Sequence, residues 1–137
     1  MKTKILTVLT VSLLASRAFA QEAEAACDKL RAAPPEAVVA ALESDDVYVR
    51  EAALAQIARE NRSPALTRAA ADAVAAVKRP GVKAQLIAVL AERGDAAATR
   101  AVRKALGDDD PLVRAAAIDA CGLLKDRGAS KALLGML

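Results

Sequence analysis

From Val49 onward, apolar residues recur with helical spacing, and the spacing itself repeats. Three segments align without gaps: Val49–Ala58 (VREAALAQIA), Val82–Ala91 (VKAQLIAVLA) and Val113–Gly122 (VRAAAIDACG). Counting from the basic residue of each (Arg50, Lys83, Arg114), position +4 is Leu54, Ile87 and Ile118, and position +7 is Ile57, Leu90 and Cys121. Position +8 is Ala58, Ala91 and Gly122, and Val49, Val82 and Val113 stand at −1. The starts fall 33 and 31 residues apart. Positions −1, +4, +7 and +8 draw one stripe on a helix. A turn follows each stripe (Asn61 to Pro64, Arg93-Gly94-Asp95, Asp126-Arg127-Gly128), and then a second Ala/Leu-rich segment. The predicted helices are 47–60 and 64–77, 80–92 and 96–106, 111–124 and 129–137, an A and a B helix in each unit.

Upstream, Pro35-Glu36 opens a helix to about Glu43, and Ala23, Ala26, Cys27 and Leu30 share a stripe before it. These two form a shortened N-terminal capping pair. The units are then 21–43 for that pair and 44–78, 79–107 and 108–137 for three repeats. A lone helix pair cannot bury its apolar face, so such units are stable only when stacked. The fold class expected is all-α, a short solenoid of stacked antiparallel helix pairs. Prolines at 34, 35, 64, 80 and 111 interrupt any heptad, which removes a long coiled coil.

Composition fits thin layers of closely packed helices. Hydrophobic residues make up 55% of the chain but aromatic ones only 1%, so the core must come from Ala, Leu and Val. The first twenty residues read as an export signal. Lys2 and Lys4 precede an apolar run from Ile5 to Ala15, and Ala18-Phe19-Ala20 offers a small-x-small site for cleavage before Gln21. That run is shorter than the roughly 20 residues a membrane-spanning helix needs. Localisation is therefore expected to be periplasmic or secreted, with no stable membrane span after cleavage. The whole chain has 20 Lys and Arg against 17 Asp and Glu. Lys2, Lys4 and Arg17 lie in the signal with no acid beside them, so the remainder is neutral. The basic balance thus gives no ground for a nucleic-acid partner.

The third unit, Leu106-Gly-Asp-Asp-Asp-Pro-Leu-Val-Arg114 followed by Ala-Ala-Ala-Ile-Asp-Ala-Cys-Gly-Leu-Leu-Lys-Asp126, resembles the HEAT-like repeat of phycobilin lyase subunits. Leu42-Glu-Ser-Asp-Asp-Val-Tyr-Val-Arg50 is a second good copy. The middle copy departs, with Lys83 for arginine and Arg79-Pro80-Gly81 in place of the acidic loop. The resemblance covers about residues 36–137 and implies a short right-handed, armadillo-type superhelix with its B helices on the concave side. The repeat serves lyases, chaperones and adaptors alike, so it implies a fold more than a function.

Catalysis finds little to work with. The chain has no histidine, hence neither the commonest general base nor the commonest nitrogen ligand for zinc. No Gly-rich phosphate loop or nucleophile elbow occurs, and no cofactor or metal is expected. Asp45-Asp46 and Asp108-Asp109-Asp110 stand where side-chain oxygens cap a helix N-terminus, with calcium binding the sharper alternative. Arg50, Lys83 and Arg114 are expected to form a structural ladder with loop acids such as Asp45 and Asp109; a ligand-binding row of cations is the alternative. Cys121 falls on a core position. Cys27 lies about three layers away, too far for an intramolecular disulfide, and is expected to be free or to link two chains.

Sorting charges by helix reveals an asymmetry. The B helices and the residues closing them carry Arg68, Lys78, Arg79, Arg100, Arg103, Lys104 and Lys131 against one acid, Asp72. Arg68, Arg100, Arg103, Lys104 and Lys131 are the candidate partner-binding residues, for an acidic protein segment or an anionic envelope component. The alternative is that cations such as Arg103 and Lys104 merely complement helix C-termini. The apolar Leu133-Leu134-Gly135-Met136-Leu137 lacks a polar cap and is a candidate edge for homo-oligomerisation. The expected function is an exported, non-enzymatic interaction scaffold; the alternatives are a self-assembling envelope component and, third, a bilin-lyase-like subunit. Export and the near absence of aromatic faces for a tetrapyrrole speak against the third.

Overall fold

The structure, a computed structural model, describes residues 2–59 and 63–135, with side chains placed from residue 17 onward. The side chains of residues 1–16, the turn residues 60–62 and the terminal residues 136–137 lie outside the described residues. The described chain forms α1 (Lys2–Arg31), α2 (Pro35–Ala41), α3 (Val47–Ala58), α4 (Pro64–Ala73), α5 (Pro80–Arg93), α6 (Ala96–Ala105), α7 (Pro111–Leu123) and α8 (Ser130–Leu134). A 3-10 turn, Arg127–Ala129, leads into α8. Among the described residues there is no strand, and no helix is long and apolar enough to cross a membrane.

Local chemistry sets the boundaries. Asp46, Asp95 and Asp110 cap α3, α6 and α7 by accepting hydrogen bonds from Tyr48, Ala98 and Leu112 N–H, each at 2.8 Å. The Ser63 hydroxyl caps α4 through Leu66 N–H. These oxygens satisfy first-turn donors that have no partner inside the helix. Proline starts α2, α4, α5 and α7, where its missing N–H costs nothing. Gly94, at φ +70°, ends α5 in the left-handed conformation that favours glycine. The helix predicted over 64–77 stops at Ala73. A hydrogen-bonded turn follows, in which the N–H groups of Ala76 and Val77 donate to the Ala73 carbonyl; Val77 is buried, and Glu43 accepts the Lys78 N–H at 2.8 Å.

The helices stack in two layers, forming an all-α solenoid. The A layer runs α1, α3, α5, α7, each packed on the next, and the B layer runs α2, α4, α6. The C-terminal half of α1 supplies the first A helix, and Phe19 on it meets Tyr48 of α3 with ring centroids 6.1 Å apart. The core lies between the layers. Position +3 (Ala53, Leu86, Ala117) is fully buried in all three repeats, and position +7 (Ile57, Leu90, Cys121) nearly so.

The predicted stripe needs two corrections. Position +8 is buried only at Ala91, while Ala58 and Gly122 are exposed. Position +4 is buried at Leu54 and Ile87, but Ile118 is 43% exposed. Leu54 and Ile87 lie on α3 and α5, each packed between two A helices, whereas among the described residues no A helix lies beyond α7.

Candidate functional site

The B helices share a register that their caps define. Ser63, Asp95 and Asp126 occupy equivalent N-cap positions; the Asp126 carboxylate accepts from Gly128 N–H at 3.0 Å. Four residues on, the hydroxyls of Thr67 and Thr99 donate back to the cap carbonyls, at 3.3 and 2.9 Å. At +3, Leu66, Ala98 and Ala129 are buried. At +5, Arg68, Arg100 and Lys131 are exposed. Arg68 and Arg100 therefore stand at one place on α4 and α6, and Lys131 stands at the same count from Asp126, which caps the 3-10 turn before α8.

Two of these cations border a cleft of about 690 Å³ between α4 and α6. Arg68 and Asp72 line it from α4, Arg100 and Lys104 from α6, and alanines such as Ala71 and Ala101 leave it open. Lys83, Asp108 and Asp109 also line it. Among the described residues Arg68, Arg100 and Lys104 make no ion pair.

Arg103 does. Its guanidinium grips the Asp126 carboxylate in a bidentate pair, Nε to Oδ2 at 2.5 Å and Nη2 to Oδ1. This hydrogen-bonded pair holds Asp126 below the usual carboxylate range and raises Arg103 further. Gly128 lies so close to the guanidinium that a Cβ there would overlap it. Arg103 thus fastens α6 to the turn after α7, and differs in this from Arg68, Arg100, Lys104 and Lys131.

The ladder positions divide in two. Arg50 Nη1 donates to the carbonyls of Ser44 and Asp45, at 2.7 and 2.9 Å. Arg114 Nη1 repeats this with the carbonyls of Asp108 and Asp109, both at 2.8 Å. These arginines bind loop backbone rather than the expected carboxylates of Asp45 and Asp109, because each loop turns its carbonyls inward over the first turn of its own helix. Asp45 pairs instead with Arg79 at 2.6 Å, joining repeats 1 and 2. Lys83, in the copy without an acidic loop, reaches Asp108 of the next repeat at 2.7 Å. Lys83, and then the Asp110 N–H, lower the Asp108 carboxyl pKa.

Arg93 escaped the sequence reading. It is buried at the end of α5, and its Nη1 donates to the Ile57 carbonyl of α3. The signal was there: Leu86, Leu90 and Arg93 follow the i, i+4, i+7 spacing of one buried face. Cys27 on α1 is half-buried and Cys121 on α7 buried; both are free thiols, with α3 and α5 stacked between their helices. Burial pushes the Cys121 thiol up. Among the described residues no three His, Cys, Asp or Glu side chains gather as metal ligands.

Residues 75–137 match the family model of HEAT repeats. That stretch contains α5 to α8, the second and third repeats, and supports a HEAT-like repeat protein. No curated protein and no solved structure matches the chain. HEAT repeats are in general modules of protein–protein interaction.

Proposed function

We propose that the chain is an exported, non-enzymatic scaffold whose B-helix face binds an acidic segment of a protein partner. The observation that carries this reading is the pair Arg68 and Arg100, set at one register on adjacent helices beside an open cleft, with Lys104 adding a third cation. Adjacent packed helices are about 8–10 Å apart, and a segment in the polyproline II conformation has three residues per turn at about 3.1 Å each. Such a segment crossing the B helices would set i and i+3 on one face about 9 Å apart, so acids at i and i+3 fit the row. Lys131 would extend it by one repeat. Export to the periplasm or beyond rests on the N-terminal pattern alone.

The test is a titration of a labelled peptide with Glu at every third position, followed by fluorescence anisotropy. Binding that weakens with salt and is lost in Arg68→Glu/Arg100→Glu supports the reading; equal binding by that variant overturns it. N-terminal sequencing of the protein recovered from the producing cell tests export, with Gln21 expected as the first residue.

A second reading, a self-assembling envelope component, is favoured by one observation. Ile118 is exposed at a position whose equivalents in the two preceding repeats are buried.

A further inference from the structure

The two sides of the α4–α6 cleft carry the same charge at one turn and opposite charges at the next. Arg68 and Arg100 stand five residues after the caps Ser63 and Asp95. Nine residues after the same caps stand Asp72 on α4 and Lys104 on α6. All four are exposed and line the cleft. Four residues of helix rise about 6 Å, and packed helices lie about 8–10 Å apart. The four charges therefore mark a rectangle that is basic at three corners and acidic at the fourth.

Asp72 works against its own helix. It lies in the last turn of α4, which ends at Ala73, and the negative end of the helix dipole disfavours an acid there. Lys104, its counterpart in the last turn of α6, is favoured by the same dipole. Among the described residues the Asp72 carboxylate makes no ion pair and accepts no hydrogen bond. Arg68, one turn earlier, does not close on it, and a base followed by an acid four residues on is the weaker order of such a pair. The other acids of the cleft are placed differently. Asp108 is held by Lys83 at 2.7 Å, and Asp109 stands on the loop between α6 and α7 rather than on a B helix.

We infer that Asp72 is a specificity determinant of the cleft, and that it takes a lysine or arginine set beside the acid that meets Arg68. This rests on the acidic-segment reading and refines it: the partner segment has mixed charge, with acids opposite Arg68 and Arg100 and a cation opposite Asp72. A further acid fits Lys104. An acid opposite Asp72 is repelled, so a run of unbroken acid is discriminated against at one corner.

The test is a lysine scan read by fluorescence anisotropy. The parent is a labelled Pro- and Ala-based peptide with two Glu three residues apart, and a single Lys replaces each of the other residues in turn. At one position Lys is expected to strengthen binding to the wild type about threefold, the size of an exposed ion pair. That gain is expected to vanish in Asp72→Asn, to become a loss in Asp72→Lys and to persist in Asp109→Asn. Asp72→Asn is expected to melt no lower than the wild type, which separates a lost contact from a lost fold. A scan in which no Lys strengthens binding overturns the inference, as does a gain that survives Asp72→Asn or disappears in Asp109→Asn. A lower melting temperature for Asp72→Asn overturns it too, because the carboxylate would then have a use within the chain. If the parent peptide binds the wild type but not Arg68→Glu/Arg100→Glu, those failures leave the acidic-segment reading standing. If the parent does not bind the wild type, both fall.

Discussion

Lys83 Nζ lies 2.7 Å from Oδ2 of Asp108, and their side chains are only 15% and 20% exposed. One residue belongs to the second repeat and the other to the loop that opens the third. The pair closes the junction at the copy whose own loop has no acid to offer. Its second anchor is the Asp110 N–H, which donates to Asp108 Oδ1 at 3.0 Å.

Because Asp108 titrates below its ordinary range when folded, it adds stability at pH values above that range. The contribution fades as pH falls through the depressed folded value. Asp108→Asn is expected to cost about 1 kcal/mol at neutral pH, since it leaves a largely buried ammonium without its carboxylate. Urea unfolding across the acid range checks this. Wild type and variant should converge in stability at the acid end; a constant difference at all pH values contradicts the linkage.

Ile87 and Ile118 hold one register position in adjacent repeats, at 0% and 43% exposure. Truncating Ile87 to alanine empties a packed site and is expected to cost about 2–5 kcal/mol. The same change at Ile118 should cost under about 1 kcal/mol at concentrations where the chain is monomeric, because water already reaches that side chain. Thermal unfolding of the two variants side by side decides. Equal losses would mean that α7 is covered from outside by its own chain.

Gly128 is expected to tolerate no side chain without loosening Arg103. A Cβ at Gly128 would displace the guanidinium from Asp126. In Gly128→Ala the Asp126 carboxyl should therefore titrate closer to its ordinary range. A pH titration of the Asp126 carboxyl carbon by NMR measures this directly. An unchanged titration would show that the pair survives.

The repeat, its helix pairs and most helix starts were legible in the sequence, because caps and prolines are local signals. Asp46 and Asp110, in the acidic loops, could be read as caps without knowing the fold, whereas Ser63 and Asp95 were legible only as turn residues. Position +3 was harder. Ala53 and Ala117 are as common on alanine-rich surfaces as in cores, and only stacking distinguishes the two. The destinations of the arginines were not legible at all. Arg50 and Arg114 turn back onto their own loops, Arg93 dives under α3 and Arg103 clamps Asp126, though all four carry the same group. Those choices depend on which carbonyl or carboxylate the neighbouring repeat brings within reach. The basic row was visible as composition; its register, with Arg68, Arg100 and Lys131 each five residues after a cap, emerged only when the helices were aligned by their N-termini.

The central claim is that the α4–α6 cleft receives an acidic segment. The most direct measurement is NMR chemical-shift mapping of the labelled protein titrated with a peptide carrying Glu at every third position. Shifts confined to Arg68, Ala71, Arg100, Ala101 and Lys104, saturating with peptide and fading with added salt, are the predicted result. Shifts centred on the A helices, or none at all in low salt, would contradict the account.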